Sequence, residues 1–354
     1  KYNPVVSSKN GCRLNTEVYG GAIYSTWLDR PLSIAGRIAL KNPQSAHPRM
    51  KLVDFKRPVA VLPNLAIHLN RAMNDGVALN AQTDLLPICG MDEHMDTAAF
   101  LQILADETGE NPEDILCFDL SVYHYAEPVR TGFSGDMFMA PRIDDLECAA
   151  TTLLGFLDAA AETDSACAPV WAMLDNEEVG SSSRMGAESS YLRDVLDRII
   201  EAVPHSGQAM PRALANSFML SADNAHATHP NFPQKSDPCA PVRLGGGVVL
   251  KYNASQKYTT NAVSGAIFKE ICRKAGVPVQ VFTNRADEPG GSTLGNLQSH
   301  TLPIPMADIG LAQLAMHSAV ETAAVADADH MINAVAEFYR VHLRALGDGT
   351  YTLE

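Results

Sequence analysis

The chain has 354 residues, enough for one large or two moderate hydrophobic cores. Its 27 basic and 41 acidic residues give a net charge of −14, which argues against nucleic-acid partners and a membrane-surface role, though one local cation could still hold an acidic substrate. The seven cysteines, at 12, 89, 117, 148, 167, 239 and 272, contain no Cys-x-x-Cys, and no signal peptide or transmembrane-length apolar run is visible, so a reduced, cytoplasmic protein is expected.

In chain order, residues 8–137 read as a β-rich domain. Segments 32–40 and 50–55 flank a Pro/Asn/His turn region and predict a hairpin. Segments 59–62 and 115–125 are further strands, and 96–105 is a helix ending before Gly109. From 138 to 354 strands alternate with helices. Helices are predicted at 145–161, 190–203, 262–275, 311–325 and 329–345, with Asn261 capping one and Gly276 and Gly347 terminating two. Strands are predicted at 169–174, 217–222, 247–252 and 278–283. Alternation of this kind implies an α/β domain.

Chemistry concentrates in four segments. Asp175-Asn-Glu-Glu-Val-Gly-Ser181 follows an apolar run that reads as a buried strand. Two adjacent acids there are costly unless something pairs with them, and in extended chain Glu177 and Glu178 point to opposite sides, one free to bind a metal and one to move protons. The competing reading is an acidic cap on the next helix. Pro141-Arg-Ile-Asp-Asp-Leu-Glu147 places Asp144 and Asp145 before a helix. Ser217-Phe-Met-Leu-Ser-Ala-Asp223 ends a strand in an acid and is followed by His226 and His229. Leu311-Ala-Gln-Leu-Ala-Met-His317 sets a lone histidine in an apolar run. Asp, Glu and His at strand ends suit zinc and related divalent ions. There is no G-x-S-x-G, P-loop, H-E-x-x-H or G-x-G-x-x-G.

With Glu17-Val-Tyr-Gly-Gly-Ala-Ile-Tyr-Ser-Thr-Trp-Leu-Asp-Arg30, Leu65-Ala-Ile-His-Leu-Asn-Arg71, Ser221-Ala-Asp-Asn-Ala-His-Ala-Thr-His-Pro230 and Leu314-Ala-Met-His-Ser318, these segments follow one family's order along nearly the whole chain. The chain resembles the aspartyl aminopeptidase family of dinuclear zinc metallopeptidases. The resemblance implies a three-layer α/β/α zinc-peptidase catalytic domain carrying an inserted β-rich dimerisation domain, and a homo-oligomer built from dimers. It implies two divalent ions, zinc first, with manganese or cobalt as alternatives. Asp144 matches the bridging carboxylate, Glu178 and His317 the ligands of one metal, and Asp223 a ligand of the other. Glu177 matches the general base. His229 and Lys251 match substrate-binding residues, Lys251 for an acidic side chain. Asp145 is not assigned as a ligand, and His226 is left as a supporting or interfacial residue. The family's His-x-Asp metal segment would precede Lys1, so one histidine ligand, and the N-terminal part of the catalytic domain, have no counterpart in this sequence. Ala312 and Val320 stand where the family usually has Pro and Arg.

The expected activity is removal of an N-terminal Asp or Glu from a peptide. Two alternatives stay open: an amide hydrolase of the same fold acting on N-acyl substrates, and a catalytically incomplete oligomeric homologue.

Overall fold

The computed structural model describes residues 1–160, 167–204, 207–288, 290–347 and 349–353. The chain divides into two compact units, Lys1–Glu127 with Ser318–Val320, and Pro128–His317 with Glu321–Glu354.

The first unit is built on a seven-stranded sheet of β1 (Val5–Ser8), β2 (Gly11–Leu14), β3 (Pro31–Leu40), β4 (Arg49–Asp54), β5 (Ala60–Val61), β6 (Ile88–Gly90) and β7 (Ile115–His124), with one helix, α1 (Thr97–Thr108). The expected hairpin is β3–β4, paired antiparallel from Ala35 with Asp54 to Leu40 with Arg49. Strand side chains alternate between faces, so Leu32, Ile34, Ile38 and Leu40 all enter the core. Gly36 lies where β3 meets β7: a Cβ there would sit 2.0 Å from the Asp119 carbonyl oxygen. Asp96 caps α1 by accepting the Ala99 N–H, Gly109 ends it in the left-handed conformation, and the helix buries Phe100, Leu104 and Ala105 against the sheet.

The second unit contains β8 (Val129–Thr131), β9 (Met137–Ala140), α2 (Ile143–Ala160), α3 (Tyr191–Glu201), α4 (Ala209–Ala215), β10 (Met219–Ala222), β11 (Ala225–His226), β12 (Val248–Tyr252), α5 (Ala262–Ala275), β13 (Val279–Thr283), α6 (Leu294–Gln298), β14 (Met306–Gly310), β15 (Ala312–Leu314), β16 (Glu321–Ala324), α7 (Val325–Arg340), β17 (Leu343–Gly347) and β18 (Thr350–Leu353). One sheet runs β10-β14-β12-β13, a second β11-β15-β16-β9-β8, and β17–β18 form a hairpin. Pairing of β8 and β9 into the second sheet places residues 128–137 in this unit rather than with the first. Cys148 of α2, Phe268 and Cys272 of α5, and Met331 and Val335 of α7 cover the first sheet at Val248, Leu250, Ala307 and Ile309. Helix α2 packs on α7 at Gly155, where a Cβ would meet the Ile332 carbonyl oxygen at 2.7 Å. Among the described residues no helix is long and apolar enough to cross a membrane.

Helix α5 spans the predicted residues, closed by a capping box between Asn261 and Ser264 and by left-handed Gly276. Three other expectations fail. Residues 169–174 pair with no strand among the described residues. They have no regular secondary structure, are largely exposed, and together with β10 they line an apolar cavity of about 810 Å3, so the segment faces space where a ladder partner would be needed. Residues 311–325 are not a helix but β15, a turn and β16. Gln313 and Leu314 pair with Ala323 and Thr322, and Ala315 and His317 turn the chain with positive φ of 59° and 67°. The last helix stops at Arg340, where Val341 becomes extended, and Gly347 serves the β17–β18 hairpin instead. The end of the helix predicted at 145–161, at Ala161, lies outside the described residues.

Candidate active site

Three loops of the second unit bring the candidate ligands together. Asp144 enters at the head of α2, where its ψ of 115° and the irregular Asp145 keep the first turn from being helical. Glu177 and Glu178 lie in a single 3-10 turn, Glu177–Val179, not on the end of a strand. Left-handed Asn176 and Gly180 bracket the turn, and the Ser181 N–H closes it on the Asn176 carbonyl. Successive residues of a 3-10 turn diverge by roughly 120°, so the two acids still face different ways, for another reason than that expected from extended chain. His317 occupies the left-handed turn between β15 and β16.

His317 Nε2 lies 3.3 Å from Asp144 Oδ2 and 3.3 Å from Glu178 Oε2, and the ligand atoms of the three residues all fall within 4.8 Å of one another. Among the described residues this is the one such cluster of His, Cys, Asp and Glu. Two carboxylates and an imidazole are a fitting donor set for zinc.

Asp223 follows β10 and stands outside that cluster. Its backbone passes Gly310 so closely that a Cβ there would sit 2.0 Å from the Asp223 carbonyl oxygen. Lys251 Nζ lies 3.5 Å from Asp223 Oδ2 and donates to the Asn224 carbonyl at 2.7 Å. Lys251 is not a solvated strand-end lysine: it is only 1 % exposed. Burial opposes its charge, yet Asp223, Tyr258 and Asp308 hold the ammonium above its ordinary pKa. Asp223 is itself pushed up by burial, with Asp144 adding repulsion against the pull of Lys251.

The same crowding raises the neighbouring acids. Burial, then Asp223, Glu178 and Asp144, push Glu177 up to about 7. Burial and Asp144 push Glu178 up to about 7, with His317 opposing. Asp145 is driven up by burial, Asp223 and Asp144. Five mutually repelling carboxylates are an unfavourable arrangement by themselves, and a bound divalent cation inverts the balance by favouring every charged form.

The other candidates lie differently. His229 accepts the Asn231 N–H at Nδ1 and packs its ring 5.0 Å from that of Phe232. It makes no hydrogen bond or ion pair to the acidic cluster among the described residues. His226 feels Lys251, Asp144 and His317, and burial lowers its pKa first of all. Two acids escaped the sequence reading. Glu147 is buried, accepts from Asn224 Nδ2 at 2.9 Å, and is pushed up to about 7 by desolvation. Glu321 accepts backbone N–H groups of both Asp144 and His317. Burial raises its pKa while those N–H groups and that of Ile143 oppose the rise. Neither acid carries a local signature, since each looks in sequence like a helical surface acid.

Clustered candidate ligands on loops of an α/β unit, with a carboxylate of raised basicity beside them, are features that a metal-dependent hydrolase requires. Residues 1–339 match the family described as Aminopeptidase I zinc metalloprotease (M18). The chain is 42 % identical over 344 residues to a probable M18 family aminopeptidase 2 of Clostridium acetobutylicum, covering 96 % of this chain and 79 % of that protein. Its fold matches a chain in the cryo-EM structure of the Ape4 and Nbr1 complex with a TM-score of 0.92 at 29 % identity, over 96 % of this chain and 68 % of that one. It also matches the mApe1 dodecamer of S. cerevisiae with a TM-score of 0.81 at 24 % identity, over 95 % and 74 %. The chain belongs to the M18 family of zinc metalloprotease aminopeptidases, the aspartyl aminopeptidase family, and is a metal-dependent hydrolase of peptide bonds.

Proposed function

We propose that this aminopeptidase removes an N-terminal Asp or Glu from peptides at a centre of two divalent ions. The observation that carries the reading is the convergence of Asp144, Glu178 and His317, with Glu177 electrostatically coupled to the same group. Asp144, Glu178 and His317 would hold one ion. Asp144 and Asp223 would face the other. Bound ions of this kind supply a Lewis acid for the scissile carbonyl and lower the pKa of water.

Glu177 takes the proton of the attacking water on a carboxylate oxygen and returns it to the nitrogen of the departing amine. Bound cations lower the pKa of the water, so a carboxylate of ordinary basicity suffices for that exchange. Lys251 serves the acidic side chain of the substrate. An ammonium has three N–H donors, of which Asn224 and Asp223 engage two. His229 assists at the substrate. The second unit forms the three-layer α/β/α catalytic domain and the first an inserted dimerisation domain. Such dimers would assemble into a larger homo-oligomer. Free, scattered cysteines suit a cytoplasmic setting.

The test is an activity panel with metal analysis. Asp- and Glu-aminoacyl substrates should be cleaved in preference to Leu-aminoacyl ones, and N-acyl substrates hardly at all. Lys251→Ala should raise KM more for acidic than for neutral substrates. Preference for N-acyl substrates, or equal loss on Asp and Leu substrates in the variant, would count against this assignment.

A further inference from the structure

Glu321 opens β16 and is 2 % exposed. It is not one of the clustered ligands. Its carboxylate spans two of them through the main chain: Oε2 accepts the Asp144 N–H at 3.0 Å and Oε1 accepts the His317 N–H at 2.7 Å. Both tied residues sit on irregular backbone, Asp144 at the unwound head of α2 and His317 at a φ of 67°. An N–H at the head of a helix has no acceptor within the helix, and one in a turn between strands lies off the ladder. A single buried side chain from a third position satisfies both. It thereby ties together two chain segments that also meet where β9 pairs with β16 and where the side chains of Asp144 and His317 converge.

We propose that Glu321 is a positioning residue of the metal centre, setting the separation of Asp144 from His317 without touching the ion. The proposal rests on the reading of Asp144, Glu178 and His317 as ligands. A carboxylate is required because it offers an acceptor to each N–H. The amide of Gln would keep one acceptor and turn an NH2 toward the other N–H.

Asp327 provides the control. It is equally buried in the same unit and also accepts two backbone N–H groups, those of Gly245 and Gly247, both at 2.8 Å, yet neither belongs to a candidate ligand. Zn2+ affinity of the full chain is measured by competition with a chromogenic chelator, with Tm recorded for each variant and the Co2+ absorption spectrum as a reading of ligand geometry. Glu321→Gln should weaken Zn2+ binding by about 10- to 100-fold, the usual effect of losing a group that orients a ligand, and should alter the Co2+ bands. Asp327→Asn should lower Tm and leave affinity and bands as in the wild type. Wild-type affinity and spectrum in Glu321→Gln, or an equal loss in Asp327→Asn, would overturn the assignment. His317→Ala separates the two layers of the argument. Its loss of tight Zn2+ binding supports the ligand reading whatever Glu321→Gln does, while wild-type affinity would overturn that reading and this proposal with it. Should Glu321→Gln not fold, Glu321→Asp, which keeps both oxygens but is one methylene shorter, is read by the same two criteria. If neither folds, the residue is structural and the proposal fails.

Discussion

Both units pair charges at the surface, but the second also gathers acids inward. In the first, acids and bases pair at the surface: Arg37 with Asp119, Arg49 and Lys51 with Glu110, Arg57 with Glu107, over a core drawn from Leu, Ile, Val and Phe side chains. In the second, Asp144, Asp145, Glu177, Glu178 and Asp223 repel one another, and of these described residues only Asp223 forms an ion pair with the buried Lys251 ammonium. Exposed pairs contribute little to stability, whereas inward-facing acids cost stability until a cation joins them. The contrast shows where this molecule trades stability for chemistry: the second unit carries an electrostatic deficit that a bound cation would offset.

The contrast breaks most visibly at Glu177. Glu177→Gln should keep its metal and lose roughly two to four orders of magnitude in kcat, whereas Glu178→Gln should lose the metal itself. Near-normal kcat in the first variant, measured beside its metal content, would show the roles to be misassigned. Next in size is the core of the first unit. Leu104 is fully buried in the first unit, and Leu104→Ala should cost about 2–5 kcal/mol in denaturant unfolding while Zn2+ affinity stays unchanged. A parallel loss of affinity would erase the distinction between the units.

The acidic centre should also reveal itself through pH. Glu147, Glu177 and Glu178 have folded pKa values of about 7 against an ordinary 4.5. For groups raised in this way, the contribution to stability is full below the unfolded pKa and is lost as pH rises through the folded one. The metal-free protein should therefore lose stability from these groups between about pH 4.5 and 7, and Zn2+ should raise Tm more at pH 8 than at pH 5. Equal Tm gains at the two pH values would contradict the deficit. The smallest effect belongs to the surface of the first unit: Arg37→Ala should change stability by no more than about 1 kcal/mol, and less in high salt.

Local sequence determined those features whose physical cause lies within a few residues. The alternation of Leu32 with Ile34 and of Ile38 with Leu40 placed β3, and Asn261 with Gly276 bounded α5, because strand pleat and helix caps are short-range. The acids and histidine that the structure brings together, Asp144, Glu178 and His317, were legible through their motifs and family order. Tertiary structure alone decided the rest. The apolar run through Leu314 became β15 and a left-handed turn because its ladder partners, Thr322 and Ala323, lie across that turn. The apolar residues 169–174 formed no strand because hydrophobicity does not supply a partner. Lys251 turned inward because Asp223 and Asn224, far away in sequence, meet it there. Glu321 could not be read at all, because both N–H groups it accepts belong to backbone, which leaves no mark on residue identity, and one of them comes from the far end of the domain.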